Sequence, residues 1–136
     1  MPKHLWTICC ENIIVDSLTN TISLIHVVQQ LNVRANAPAM VLRLFVVSLW
    51  AREGDEAETF KYRLVWRAPE SDDVTPWPEI EVEIPSDKDR ARSFVEFHKL
   101  PFHGEGSYRF LIEIQDAEGN WEPVHELPIR VIEKTN

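Results

Sequence analysis

Four acidic loop segments are the residues of this 136-residue chain best placed to do chemistry together. They hold Asp16; Glu53, Asp55 and Glu56; Asp87 and Asp89; and Asp116 and Glu118. If successive strands run antiparallel, these four loops fall at one end of the fold. Carboxylates gathered there suit Ca²⁺, which takes roughly six to eight oxygen ligands from such loops. Asp55, Asp87, Asp89 and Asp116 are the candidate ligands. Arg52, Lys88 and Arg90 are interleaved among them and no EF-hand spacing occurs. The plainer reading is a set of solvated turn residues.

The other reactive side chains converge less. Five histidines are present, His4, His26, His98, His103 and His125. None belongs to a His-x-x-x-His or Cys-x-x-Cys pair of the kind that structural zinc needs. Cys9 and Cys10 are adjacent, so in a strand they point to opposite faces. They read as reduced thiols, each a small apolar residue within a strand. Ser23 and His26, three apart on a strand, also diverge. There is no Gly-x-Ser-x-Gly elbow and no glycine-rich phosphate loop. The sequence thus implies no cofactor and no catalytic set.

Elements must position these residues, and the pattern is all-β. Nine prolines, apolar runs of strand length and turn signals between them fit a sandwich or barrel. Eight strands are expected: about 5–15, 21–31, 40–50, 58–67, 79–84, 92–98, 107–115 and 124–133. Phe60, Tyr62, Leu64 and Trp66 alternate inward on the fourth, and Tyr108, Phe110, Ile112 and Ile114 on the seventh. On the first, Trp6, Ile8, Cys10 and Ile14 share a face. Pro123 and Pro128 mark the last as an edge strand. Lys61 and Arg63 opposite Glu81 and Glu83 make a charged, wet face. The whole chain, 1–136, reads as a single domain.

The run Met40 to Trp50 departs from this alternation. Leu42, Leu44, Val46 and Trp50 share one face, and Val41, Phe45, Val47 and Leu49 the other. On the preceding strand, Ile25, Val27 and Leu31 oppose Ile22, Leu24 and Val28. One face of each strand must meet the core, and the other must also be covered. The cover is either the stretch 68–78 with Trp77, or a protein partner or second copy. A β-bulge that swaps the faces would also account for the pattern. Val41, Phe45, Val47, Leu49, Ile25 and Val27 are therefore the interface candidates.

A net charge of −8 argues against nucleic acid and against an anionic membrane surface. No segment reaches the roughly 20 apolar residues of a membrane span. With two thiols read as reduced and no apolar leader, a cytoplasmic location is expected. The leading functional expectation is a non-catalytic interaction or structural module that binds a protein or itself. A calcium-dependent ligand-binding module is the alternative.

Gly104-Glu105-Gly106-Ser107-Tyr108-Arg109-Phe110 resembles the Gly-x-Tyr-x-apolar start of a late strand in immunoglobulin-like sandwiches, where the tyrosine ties a corner to nearby backbone. The Cys-Trp-Cys core of antibody domains is absent. Cys10-Glu11-Asn12-Ile13-Ile14-Val15-Asp16, the strand Ser23-Leu24-Ile25 and this late motif together resemble a family of small uncharacterised bacterial proteins, a domain of unknown function. That resemblance implies a small immunoglobulin-like sandwich from a bacterium and supplies no activity.

Overall fold

The computed structural model describes residues 1–34, 39–69 and 74–134. Its strands are β1 Lys3–Val15, β2 Ile22–Val27, β3 Gln30–Arg34, β4 Ala39–Ala51, β5 Glu58–Arg67, β6 Val74–Pro76, β7 Ile80–Ile84, β8 Arg90–Pro101, β9 Gly106–Gln115 and β10 Trp121–Lys134. They form two sheets, a four-stranded one ordered β2-β1-β4-β8 and a six-stranded one ordered β3-β10-β9-β5-β6, with β7 also on β5. Side chains of both sheets build the main core. Trp50 and Phe97 come from the first sheet, and Tyr62, Trp66, Tyr108 and Phe110 from the second. Burying each such side chain contributes about 1.5–3 kcal/mol.

The inward alternation on β5 and β9 holds as predicted. Phe60, Tyr62, Leu64 and Trp66 are buried, as are Tyr108, Phe110, Ile112 and Ile114. Four expectations need correction. The expected strand 21–31 is two strands in different sheets. The Val28 amide still donates to Cys9 O at 2.7 Å, joining the first sheet, while the Arg130 amide donates to Gln29 O at 3.0 Å in the second. The chain thus changes sheets between adjacent residues, and β3 then pairs parallel with β10. The second sheet is mixed, where a wholly antiparallel sandwich was expected.

β10 is an edge along only half its length. Its prolines, Pro123 and Pro128, lie where β9 is the one paired strand among the described residues, and β3 joins from Arg130 onward. A missing amide hydrogen costs nothing on the open side. Finally, the stretch 68–78 contributes the short strand β6, and Trp77 turns inward. Its amide donates to Leu64 O at 3.0 Å and its ring meets Phe97 edge-on at 4.9 Å. Trp77 therefore does not cover the outer face of β4.

The corner before β9 is tied by Tyr108. Its hydroxyl donates to Gly104 O at 2.7 Å and accepts the His103 amide at 2.7 Å. Gly104 has φ +101, and Gly106, at φ +157, lies so close to Pro69 that an added Cβ would sit 2.7 Å from its Cγ. Both positions favour a residue without a side chain.

Candidate interaction surface

The outer face of the four-stranded sheet is covered by the chain's own β1–β2 hairpin. β1 pairs with β4 only from Lys3 to Cys10. From Cys10 to Val15 it pairs with β2 instead. Past Cys10 the hairpin has left the plane of the sheet. Ile13, Ile22 and Leu24 on it, with Trp6, pack on Cys10, Phe45 and Val47 as a second apolar cluster. The hairpin tip reaches β8, where the Arg92 guanidinium donates to Asn20 O at 3.1 Å and to Asn20 Oδ1 at 2.8 Å.

The local sequence explains the fold-back. Cys10 and Ile13 face the same cluster although three residues apart, so strict alternation is broken once between them. Such a break bends a strand and sharpens its twist. Opposite it, His26 takes φ 54, uncommon for a residue with a side chain, and its Nδ1 lies 2.9 Å from Glu11 Oε2. At the tip, Asp16 Oδ1 accepts the amides of Leu18 and Thr19 at 2.9 and 3.3 Å, and Asn20 takes φ 56. Asp and Asn suit such turns because they bond locally and tolerate left-handed backbone.

This geometry re-sorts the interface candidates. Phe45 and Val47 are 6% and 2% exposed. A partner on this face would meet the back of the hairpin and not these two side chains. Leu49 is half-buried and lines a depression with Asn20 and Arg92. Ile25 is half-buried, and Val27 is 56% exposed. The side chain of Val41 lies outside the described residues. Ile14, expected to share a face with Cys10, is instead 51% exposed, because the bend hands its inward place to Ile13.

Of the interface candidates only Val27, at the base of the hairpin, is among the exposed large hydrophobics; the others on this side are Ile14, Val15 and Leu18 on the hairpin and Phe94 on β8. Leu18 is 94% exposed and Phe94 59%. Phe94 meets Phe45 edge-on at 5.9 Å, which joins the exposed set to the covered cluster. Strand patterning hid Leu18 in a turn and gave Phe94 no special weight, since both depend on where the hairpin lies.

The acidic loops do not converge. Among the described residues, no three His, Cys, Asp or Glu side chains could hold a metal ion. Asp116 Oδ1 accepts the amides of Glu118 and Asn120 within its own turn, at 2.9 and 2.8 Å. Asp89 pairs with Arg52 at 3.6 Å, and Asp55 and Asp87 are exposed. Arg52 also donates to Gly54 O and Pro85 O at 2.7 and 2.8 Å. A nearly buried guanidinium thus bridges two of these loops.

The thiols and hydroxyls are occupied or enclosed. Cys9 lies in the main core and Cys10 in the second cluster, on opposite faces as their adjacency predicts. Burial, helped by the neighbouring Cys10, pushes the Cys9 thiol up to about 12, and burial raises Cys10 as well. A thiolate nucleophile needs the reverse shift. His4 Nε2 lies 2.7 Å from Thr7 Oγ1, which lies 2.9 Å from Ser48 Oγ. A hydroxyl beside an imidazole has the makings of a nucleophile and base, but Thr7 and Ser48 are both buried. The Tyr62 hydroxyl is also buried, beside Ser93.

No curated protein sequence matches this chain. Among solved structures it is similar to the PmoD soluble domain from Methylocystis sp. ATCC 49242 (Rockwell), with 10% identity, 95% of this chain and 96% of that chain covered, and a TM-score of 0.36. A likeness that distant says nothing of function. Residues 5–132 match the family of unknown function DUF6941, and the chain belongs to that family.

Proposed function

We propose that this chain is a non-catalytic protein-interaction module that docks a protein through the side of its four-stranded sheet. One observation carries the reading. Of the large hydrophobic side chains left exposed among the described residues, Ile14, Val15, Leu18, Val27 and Phe94 lie on that side, and only Met1 and Val124 lie elsewhere. The opposite outer face carries ion pairs. An apolar set gathered on one side of a soluble domain marks a contact surface. The module is cytoplasmic, a reading supported by two thiols that stay free. The Tyr108 corner supports an immunoglobulin-like character, and the Cys-Glu-x-Ile and Ser-Leu-Ile motifs support a bacterial source.

Site-specific photo-crosslinking in cells tests this. A crosslinker at Leu18 should give discrete protein adducts, and one at Lys61 on the opposite outer face should not. No adducts from Leu18, or equal adducts from both positions, would remove the proposal.

A further inference from the structure

Among the described residues, β8 is the one sheet edge left long and unguarded. Among the described residues it pairs only with β4, along its twelve residues from Arg90 to Pro101. The other edges are blunted. β2 has six residues, β3 and β7 five each and β6 three. The free half of β10 carries Pro123 and Pro128. β8 has no proline before Pro101, so alternate residues can present amide and carbonyl groups outward.

We propose that β8 pairs antiparallel with β8 of a second copy, about a two-fold axis centred on Phe94. This deepens the interaction-module reading by naming the partner and the strand. In this register Phe94 faces Phe94 of the second copy on the outer face. Arg92 then falls opposite Glu96, and Glu96 opposite Arg92. Lys99 falls level with Asp89, just before the strand. Opposite charges and paired aromatics on directly facing positions are the favourable cross-strand arrangements. The Phe94 centre also sets Arg90 against His98, and a centre at Val95 sets Phe94 against Glu96 and leaves Arg92 without a facing carboxylate. A centre at Ser93 matches Arg90 with Glu96 but sets Phe94 against Arg92. Only the Phe94 centre of these three satisfies the aromatic and Arg92–Glu96 together.

The facing groups are already held in place. Arg92 is fixed by its two hydrogen bonds to Asn20, and Glu96 by Arg43 at 3.2 Å. Less side-chain freedom is lost when they pair across the axis. Phe94 rests against Phe45, so a second Phe94 would extend the apolar cluster beneath the hairpin.

Light scattering on the purified chain should give the mass of two copies. Arg92→Glu sets Glu against Glu at two symmetric places and should weaken the dimer about tenfold or more. Adding Glu96→Arg should restore it. Oxidised Phe94→Cys should cross-link to its own copy, whereas Arg92→Cys and Glu96→Cys should not, being offset along the strand. Cys9 and Cys10 are buried and do not compete. Asn20→Ala removes the Arg92 latch without changing charge, and its dimer should persist, which separates register from hairpin stability. A wild-type chain that is monomeric up to high micromolar concentration overturns the pairing, as does a dimer indifferent to the Arg92 and Phe94 changes. If the chain is monomeric while Leu18 still crosslinks to another protein, the self-pairing falls and the interaction-module reading stands.

Discussion

The six-stranded sheet shows the solvent Lys61 paired with Glu79 at 3.7 Å, Arg63 with Glu113 at 2.8 Å and Arg109 with Glu126 at 3.2 Å. The four-stranded sheet, on its own outer side, holds Cys10, Phe45 and Val47 sealed beneath Ile13, Ile22 and Leu24. Both faces belong to one sandwich and share one core, yet one is finished with charge and the other with a folded-over piece of the same chain. Charge on an exposed face adds little stability, because water screens each pair. A covered apolar face adds more and depends on the hairpin staying down. The second face therefore has two layers that can change, and the outermost one carries the exposed hydrophobics.

Substitutions on the two faces should separate them sharply. Phe45→Ala should cost about 3 kcal/mol or more in chemical denaturation, the cost of a cavity at a buried aromatic. Lys61→Ala should stay within about 0.5 kcal/mol. Equal effects would mean that the hairpin leaves Phe45 wet. Leu24→Ala, on the half-buried underside of the hairpin, should cost about 1–2 kcal/mol.

The two sheets also meet at their open sides, where the rings of His4 on β1 and His125 on β10 stack at 4.9 Å. Burial first, and His125 second, lowers His4 from 6.5 to about 4. As pH falls, the unfolded chain takes up this proton before the folded one does. The stability is full above pH 6.5 and is lost as pH falls toward 4. The loss should be on the order of 1 kcal/mol, because the partly exposed ring is screened by solvent. His4→Gln should flatten that part of the stability profile. The wet face responds least, and Arg63 on it slightly more than Lys61. Arg63→Ala should cost roughly 1 kcal/mol at most, and less in high salt, with its stacking on Trp121 at 4.4 Å lost too.

Much of this was legible in the residues. Period-two alternation gave the inward faces of β5 and β9, and the doubly apolar run of β4 announced that its outer face is covered. The identity of the cover was not legible. It turns on a single break in alternation between Cys10 and Ile13, which a straight-strand reading carries through as though unbroken. Trp77 between two prolines was a reasonable candidate, but its indole finds Phe97 and the main core instead. The sheet change at Val28 and Gln29 escaped for a similar reason, since periodicity says which side is apolar and not which sheet supplies the hydrogen bonds. Loop parity put the acidic loops at one end, but among the described residues their carboxylates do not converge. It could not foresee that Arg52 would take the place between them.

The seal itself can be read from one thiol. In a Cys9→Ala protein, Cys10 is the sole cysteine and lies wholly beneath the hairpin. Under native conditions iodoacetamide should modify it only as fast as the hairpin or the whole domain opens, and Leu24→Ser should speed the reaction. Modification of Cys10 at the rate of a free, solvated thiol, unchanged by Leu24→Ser, would contradict the account.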